Sequence, residues 1–163
     1  MSHINSIEKG GLTGVRIGGN EGVSANAMLK YMNINMLYVV DIWEPYEENG
    51  VIIDTSSNIV DVYKMFLNKN NIRILRMESK VASNIFDDES LDFVYIDANH
   101  QYEFVVDDIR KWLPKVRRNG YLCGHDYSKE VKRAVDEELG LYSIEHGNET
   151  MYYPEDWLIV KDK

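Results

Sequence analysis

Apolar residues recur along this chain with two alternating periods. Short runs rich in β-branched and aromatic residues, such as residues 37–40, 72–76 and 91–96, are separated by stretches in which apolar positions return every three or four residues. That alternation marks βα units feeding a mainly parallel sheet, so an α/β, doubly wound fold is expected. A first strand over residues 14–17 leads through a glycine turn to a helix from about Ser24 to Tyr31, with Ala25, Met28, Leu29 and Met32 on one face. The second strand, residues 37–40, ends at Asp41. A polar loop is expected over 45–57, and Ile59, Val60, Tyr63, Phe66 and Leu67 then recur at helical spacing behind a cap at Ser57 or Asn58.

The second half repeats the scheme. Strands are predicted at 72–76, 91–96 and 121–124, with a short helix near 80–85 and a longer one carrying Phe104, Val105, Ile109, Trp112 and Leu113. The Asn119–Gly120 pair reads as the turn into the strand at 121. A helix over 129–139 and an antiparallel pair, 141–145 with 157–160, complete the chain. With 163 residues and neither linker nor repeat, one domain is expected.

Composition removes several function classes. A net charge of −9 opposes binding to a phosphate backbone, so no nucleic-acid partner is expected. The densest basic stretch, Arg110, Lys111, Lys115, Arg117 and Arg118, falls on a helix and its exit, where charges solvate an outer face. No long apolar run or secretory leader pattern is seen, so a cytoplasmic protein without a membrane partner is expected. The single cysteine, Cys123, sits in an apolar strand and reads as a buried thiol.

In open parallel sheets, ligands bind beyond the carboxyl ends of the strands. Gly18, Gly19, Asn20, Glu21 and Gly22 close the first strand, Asp41 the second, Glu78 and Ser79 the third, Asp97 and His100 the fourth, and His125 and Asp126 the fifth. Glycines at 18, 19 and 22 allow a tight turn whose amides face a ligand at a helix N-terminus. Asn20 breaks the dinucleotide Gly-x-Gly-x-x-Gly spacing, yet an acid suited to ribose hydroxyls follows about 20 residues on as Asp41. The pattern favours a nucleoside cofactor without a pyrophosphate.

These residues carry a resemblance. The runs Val15-Arg-Ile-Gly-Gly-Asn-Glu-Gly-Val-Ser24, Val40-Asp-Ile-Trp43, Leu91-Asp-Phe-Val-Tyr-Ile-Asp-Ala-Asn-His-Gln-Tyr102 and Gly120-Tyr-Leu-Cys-Gly-His-Asp-Tyr127 resemble class I S-adenosylmethionine-dependent methyltransferases. The resemblance is strongest to the small metal-dependent O-methyltransferases related to the macrocin and catechol enzymes. It implies a seven-stranded sheet of order 3-2-1-4-5-7-6 with the last strand antiparallel. It further implies that Gly18, Gly19, Asn20 and Gly22 hold the methionine portion of S-adenosylmethionine with Ser24 nearby. Asp41 and Ile42 would lie at the ribose, and Glu78 and Ser79 beside the adenine. Asp97 would serve cofactor, metal and catalysis. His125 and Asp126 would complete a magnesium site, and His100 would act as general base.

Methyl transfer is an in-line displacement from a sulfonium, so alignment and a more nucleophilic acceptor are what such residues supply. A metal lowers the hydroxyl pKa, and a histidine removes its proton near neutral pH. The expected acceptor is a small-molecule hydroxyl, such as that of a sugar. Asp97 serves equally as a cap for the following helix, and His100 as a loop residue packed by Tyr102.

Two features depart from the family pattern. Arg16 stands where relatives carry an acid, a cation that repels a positively charged cofactor, with Glu21 placed to compensate. Only 14 residues precede Val15, so the chain reads as truncated at its N-terminus, without the helices that roof the acceptor pocket in related enzymes. A roof would come from the 45–57 loop, from the 148–156 loop with Tyr152, Tyr153 and Trp157, or from a second subunit of a homo-oligomer. Two other functions stay open. One is a binding protein without turnover, suggested by Arg16 and the missing roof. The other is a nicotinamide-dependent reductase, disfavoured because no Tyr-x-x-x-Lys pair occurs.

Overall fold

Strand side chains alternate between two apolar layers, which is why the sheet is covered on both faces. Val15, Ile17, Val94, Ile96 and Leu122 face one layer, with Val105, Ile109, Trp112, Val131 and Leu139 from helices. Leu37, Val39, Phe93, Tyr95 and Cys123 face the other, against Ala25, Met28, Val62 and Phe66. The computed structural model describes residues 11–147 and 156–162. In chain order the elements are β1 (Leu12–Ile17), α1 (Val23–Tyr31), β2 (Ile34–Asp41), β3 (Tyr46–Glu48), β4 (Val51–Ile53), α2 (Asn58–Phe66) and β5 (Ile72–Arg76). They continue as α3 (Ser79–Ala82), β6 (Leu91–Ile96), α4 (Tyr102–Trp112), β7 (Val116–Gly124), α5 (Lys129–Leu139), β8 (Glu145–His146) and β9 (Trp157–Val160).

Seven strands form one sheet in the order β5-β2-β1-β6-β7-β9-β8, the order 3-2-1-4-5-7-6 when only its own strands are counted. β9 runs antiparallel to β7, while β1 pairs in parallel with both β2 and β6. The winding reverses between β1 and β6, the place where such sheets open a crevice. The register aligns the strand ends there: Ile17 pairs with Val40 and Ile96, and Ile96 with Gly124. Ladder bonds run one residue further, with Gly18 N–H donating to Val40 O at 2.9 Å, Asp97 N–H to Ile17 O at 3.0 Å and His125 N–H to Ile96 O at 3.1 Å. Residues 18, 41, 97 and 125 therefore leave the sheet at one level.

Four local expectations are corrected. The 45–57 stretch is not a plain loop but carries the antiparallel hairpin β3–β4, turned by Asn49 and Gly50 at φ 52° and 79°. α2 buries Ile59, Val62 and Phe66, whereas Val60, Tyr63 and Leu67 are exposed, and Ser57 makes no side-chain cap bond. Asn119 and Gly120 do not precede the fifth strand but kink it: β7 starts at Val116, and Asn119 has φ 59°. The partner of β9 is only Glu145–His146, not the longer 141–145 strand, though the pairing is antiparallel as expected. Tyr152 and Tyr153 lie outside the described residues, and Trp157 is a core residue with 1% exposure. Among the described residues, no helix is long and apolar enough to cross a membrane.

Candidate active site

Above the strand ends lies a cavity of about 1000 Å³, at the upper end of the roughly 300–1,000 Å³ usual for small-molecule pockets. Gly18, Gly19, Asn20, Gly22, Ser24, Asp41, Ile42, Glu78, Ser79, Asp97 and His100 all line it. Tyr46, Glu47 and Ile53 of the hairpin also border it, so the first of the roofs considered from the sequence is present.

The glycine turn is shaped by close contact. Gly18 has φ 89°, and a Cβ there would sit 1.8 Å from the Asp97 carbonyl oxygen. Asp41 braces the turn from β2: its Oδ2 accepts N–H bonds from Gly19 at 2.7 Å and Asn20 at 2.9 Å, and its Oδ1 accepts from Trp43 N–H at 2.8 Å. The fully buried Trp43 donates from Nε1 to Asn20 O at 2.9 Å. Asn58 adds a bond from Nδ2 to Asn20 Oδ1 at 2.7 Å. Asp41 thus spends much of its acceptor capacity on the turn's amides.

Arg16 is buried at 4% exposure in the cavity floor. Its Nη2 donates to Asp97 Oδ2 at 2.6 Å and to Ser24 Oγ at 3.2 Å. The cation that the sequence set against the cofactor is therefore neutralised by Asp97 directly. Glu21, the compensating group expected from sequence, is an exposed residue at the cavity edge.

His100 sits among three carboxylates. Its Nε2 lies 2.8 Å from Asp126 Oδ2 and 3.7 Å from Asp97 Oδ1, and its Nδ1 lies 3.0 Å from Glu48 Oε1. Asp97 foremost, then Asp126 and Glu48, raise its pKa to about 9 against the opposing effect of burial. Asp97, His100 and Asp126 offer ligand atoms within 4.8 Å of one another. The expected trio of Asp97, His125 and Asp126 is thus revised, because His125 approaches Asp126 separately, with Nδ1 at 3.1 Å from Oδ1 and Nε2 3.9 Å from Asp156. Asp126, with φ 56°, meets the cavity through His100.

Ser79 is engaged more deeply than expected. Its hydroxyl donates to Asp108 Oδ1 and accepts the Trp112 Nε1–H at 2.8 Å. Asp108 is buried at 8% exposure and borders the cavity. Burial foremost, with Asp107 adding, raises its pKa to about 6 against the lowering effect of the Ser79 bond. At the other side of the sheet Cys123 is a buried thiol, its pKa pushed up to about 12 by burial. The basic stretch pairs with acids, Arg110 with Glu138 at 2.7 Å, Lys115 with Asp88 at 2.6 Å and Arg117 with Asp92 at 2.7 Å.

Sequence reasoning missed Glu48, Trp43 and Asp108 as parts of the site. Asn49–Gly50 just ahead of the β-branched run 51–53 is a hairpin signal that pointed to the element carrying Glu48. Asp108 falls at the same helical spacing as Val105, Ile109 and Trp112, an acid on an otherwise apolar face.

Residues 15–127 match the sequence profile of a family described as a methyltransferase domain. The chain is 29% identical over 153 residues to the uncharacterized protein R132 of Acanthamoeba polyphaga mimivirus, covering 85% of this chain and 66% of that protein's length. Among solved structures, an rRNA methylase from Streptococcus thermophilus superposes with a TM-score of 0.72 at 11% identity, over 99% of this chain and 93% of that one. The O-methyltransferase NovP gives 0.68 at 15% identity, over 93% and 72%. Aeropyrum pernix fibrillarin with natively bound S-adenosyl-L-methionine gives 0.65 at 17% identity, over 98% and 72%.

Proposed function

Since the chain belongs to the methyltransferase-domain family, with the class I S-adenosylmethionine-dependent fold, we propose that it transfers a methyl group from S-adenosylmethionine to a hydroxyl of a small molecule such as a sugar. The observation carrying this reading is the convergence of the glycine turn, Asp41, Asp97 and His100 on one cavity, with room for donor and acceptor together. The close approach at Gly18 brings backbone to the cavity and Asp41 borders it as the acid suited to ribose hydroxyls, whereas the Gly18, Gly19, Asn20 and Gly22 amides are already bonded within the turn and to β2. A net charge of −9 argues against a nucleic-acid acceptor, and NovP supports oxygen as the atom methylated.

Asp97 and Asp126 are the residues that would hold a divalent cation. Two carboxylates with water at the remaining positions suit magnesium, whereas His100 as a third ligand favours a transition metal. Such an ion supplies Lewis acidity that lowers the acceptor hydroxyl's pKa. Glu48 orients His100 through Nδ1, leaving Nε2 toward Asp97 and Asp126. His100, once neutral, takes the hydroxyl proton on Nε2 as the acceptor oxygen bonds to the methyl carbon and the carbon–sulfur bond breaks. Arg16 fixes Asp97 while this happens.

The test is transfer of radiolabelled methyl from S-adenosylmethionine to a panel of sugars and other polyols, with and without magnesium, for the protein and for His100→Gln. The reading expects labelled ether products from the unaltered protein, and loss of at least about 100-fold in His100→Gln with S-adenosylhomocysteine binding retained. Labelling of RNA but of no small acceptor would contradict it. A binding protein without turnover is the second reading. It is favoured by the saturation of Asp97 and Asp126 by Arg16 and His100, and predicts cofactor binding with no product.

A further inference from the structure

Thr55, between the hairpin and α2, is a polar side chain with nothing to bond. It is 8% exposed and borders the cavity, and its Oγ1 is buried without a hydrogen-bond partner. A buried hydroxyl left unpaired is unfavourable and is relieved by a ligand that bonds it. The wall around it is of one sign. Glu47 of the hairpin, Asp54 just beyond it, and Glu103 and Asp107 of α4 border the same cavity, and none of the four is in an ion pair among the described residues. The cations on that lining are already taken: Arg16 pairs with Asp97 at 2.6 Å, Lys80 with Glu78 at 2.9 Å, and His100 sits among its three carboxylates. These four acids are also separate from the Asp97 and Asp126 pair assigned to a divalent cation. A cleft lined by one sign of charge concentrates ligands of the other.

We propose that the acceptor is a sugar carrying a protonated amine, its ammonium held against Thr55 and the roof acids Glu47 and Asp54, in the field of Glu103 and Asp107, while a ring hydroxyl meets His100. The inference rests on the reading of the cleft as an O-methyltransferase site and narrows its acceptor from sugars at large to cationic ones. An ammonium has three hydrogens to donate to Thr55 Oγ1 and to carboxylates together, whereas a neutral hydroxyl has one. Neighbouring carboxylates also keep the amine protonated, and a protonated nitrogen has no lone pair with which to attack a methyl group. Oxygen therefore remains the nucleophile, and nitrogen serves recognition. The four acids are exposed, so their attraction is screened by salt.

D-Glucosamine and D-glucose differ only in an ammonium or a hydroxyl at one ring carbon, so they isolate the charge. Radiolabelled methyl transfer to each is measured for the unaltered protein, for Thr55→Val and for the double variant Glu47→Gln with Asp54→Asn, with S-adenosylhomocysteine binding read by calorimetry. The unaltered protein is expected to label oxygen in both sugars, with kcat/KM about 10-fold higher for glucosamine, the range of one charge-assisted hydrogen bond. The ratio should shrink toward unity at about 1 M salt, where screening acts within roughly 3 Å. Both variants should lower the ratio while still binding S-adenosylhomocysteine. Equal transfer to the two sugars, label only in neutral sugars, or a glucosamine preference that survives salt and both variants overturns the cationic site and leaves the O-methyltransferase reading intact. Methylation on nitrogen, or no label in any sugar, overturns both.

Discussion

Glu48 holds His100 by backbone and ring together: its Oε1 accepts the His100 N–H at 2.5 Å and lies 3.0 Å from Nδ1. A hairpin residue thereby sets the orientation and charge of a residue after β6, joining the cavity's roof to its proposed base. In the metal-free protein His100 is expected to titrate near 9 rather than near its ordinary 6.5. Because the folded-state pKa is the higher one, protonated His100 stabilises the fold below about pH 6.5, and this contribution fades as pH rises through about 9. Glu48→Gln should move the midpoint downward, and Asp97→Asn further. NMR of the imidazole across pH 5–10 reads both shifts, and a midpoint near 6.5 in the unaltered protein would contradict the carboxylate cage.

Arg16→Met removes the nearest cation from the Asp97 carboxylate, leaving His100 Nε2 at 3.7 Å from it. Asp97 is partly exposed to the cavity and keeps His100 nearby, so denaturant unfolding should show a loss of about 1–3 kcal/mol rather than the full cost of a stranded buried charge. Arg16→Met with Asp97→Asn should recover part of it, since the unpaired charge is gone but His100 loses its foremost carboxylate partner. A single variant as stable as the unaltered protein would mean that the pair at 2.6 Å contributes nothing.

Gly18→Ala should cost at least about 2 kcal/mol, because an L side chain is strained in the left-handed region and the new methyl would meet the Asp97 carbonyl at 1.8 Å. Backbone shift of the turn should also abolish S-adenosylhomocysteine binding, measured by calorimetry on whatever fraction remains folded.

Asp108→Asn addresses stability. The folded-state pKa of about 6 lies above the ordinary carboxyl value of 3.8. Asp108 therefore favours the fold while protonated, below about pH 4, and that benefit is lost as pH rises through about 6. Asp108→Asn should be more stable than the unaltered protein at pH 7 by on the order of 3 kcal/mol, with the difference vanishing near pH 4. Urea unfolding at the two pH values gives both numbers.

How much of this was legible beforehand depends on the kind of signal each residue gives. Parallel strands such as Leu91–Ile96 announce themselves by continuous burial, and polar residues just past them fall at one level because the register is shared. The residues singled out by that logic, Gly18, Asp41, Asp97 and His100, all line the cavity. Contacts between distant segments left no such trace. Glu48 reaches His100 across 52 residues and Ser79 reaches Asp108 across 29, pairings that depend on how a hairpin and a helix pack. The choice between His100 and His125 as the neighbour of Asp97 and Asp126 was likewise a matter of loop geometry, since both follow strand ends. In α2, alternative apolar stripes were available at helical spacing, and the sheet buried the one through Val62.

Amide NMR of the isotopically labelled protein during titration with S-adenosylhomocysteine tests the central claim most directly. The account predicts saturable shifts confined to the cavity rim, at Gly18 to Gly22, Asp41, Ser79 and Asp97 to His100, with the Arg16 side-chain N–H following. No saturable shift, or shifts clustered at the opposite edge of the sheet, would contradict it.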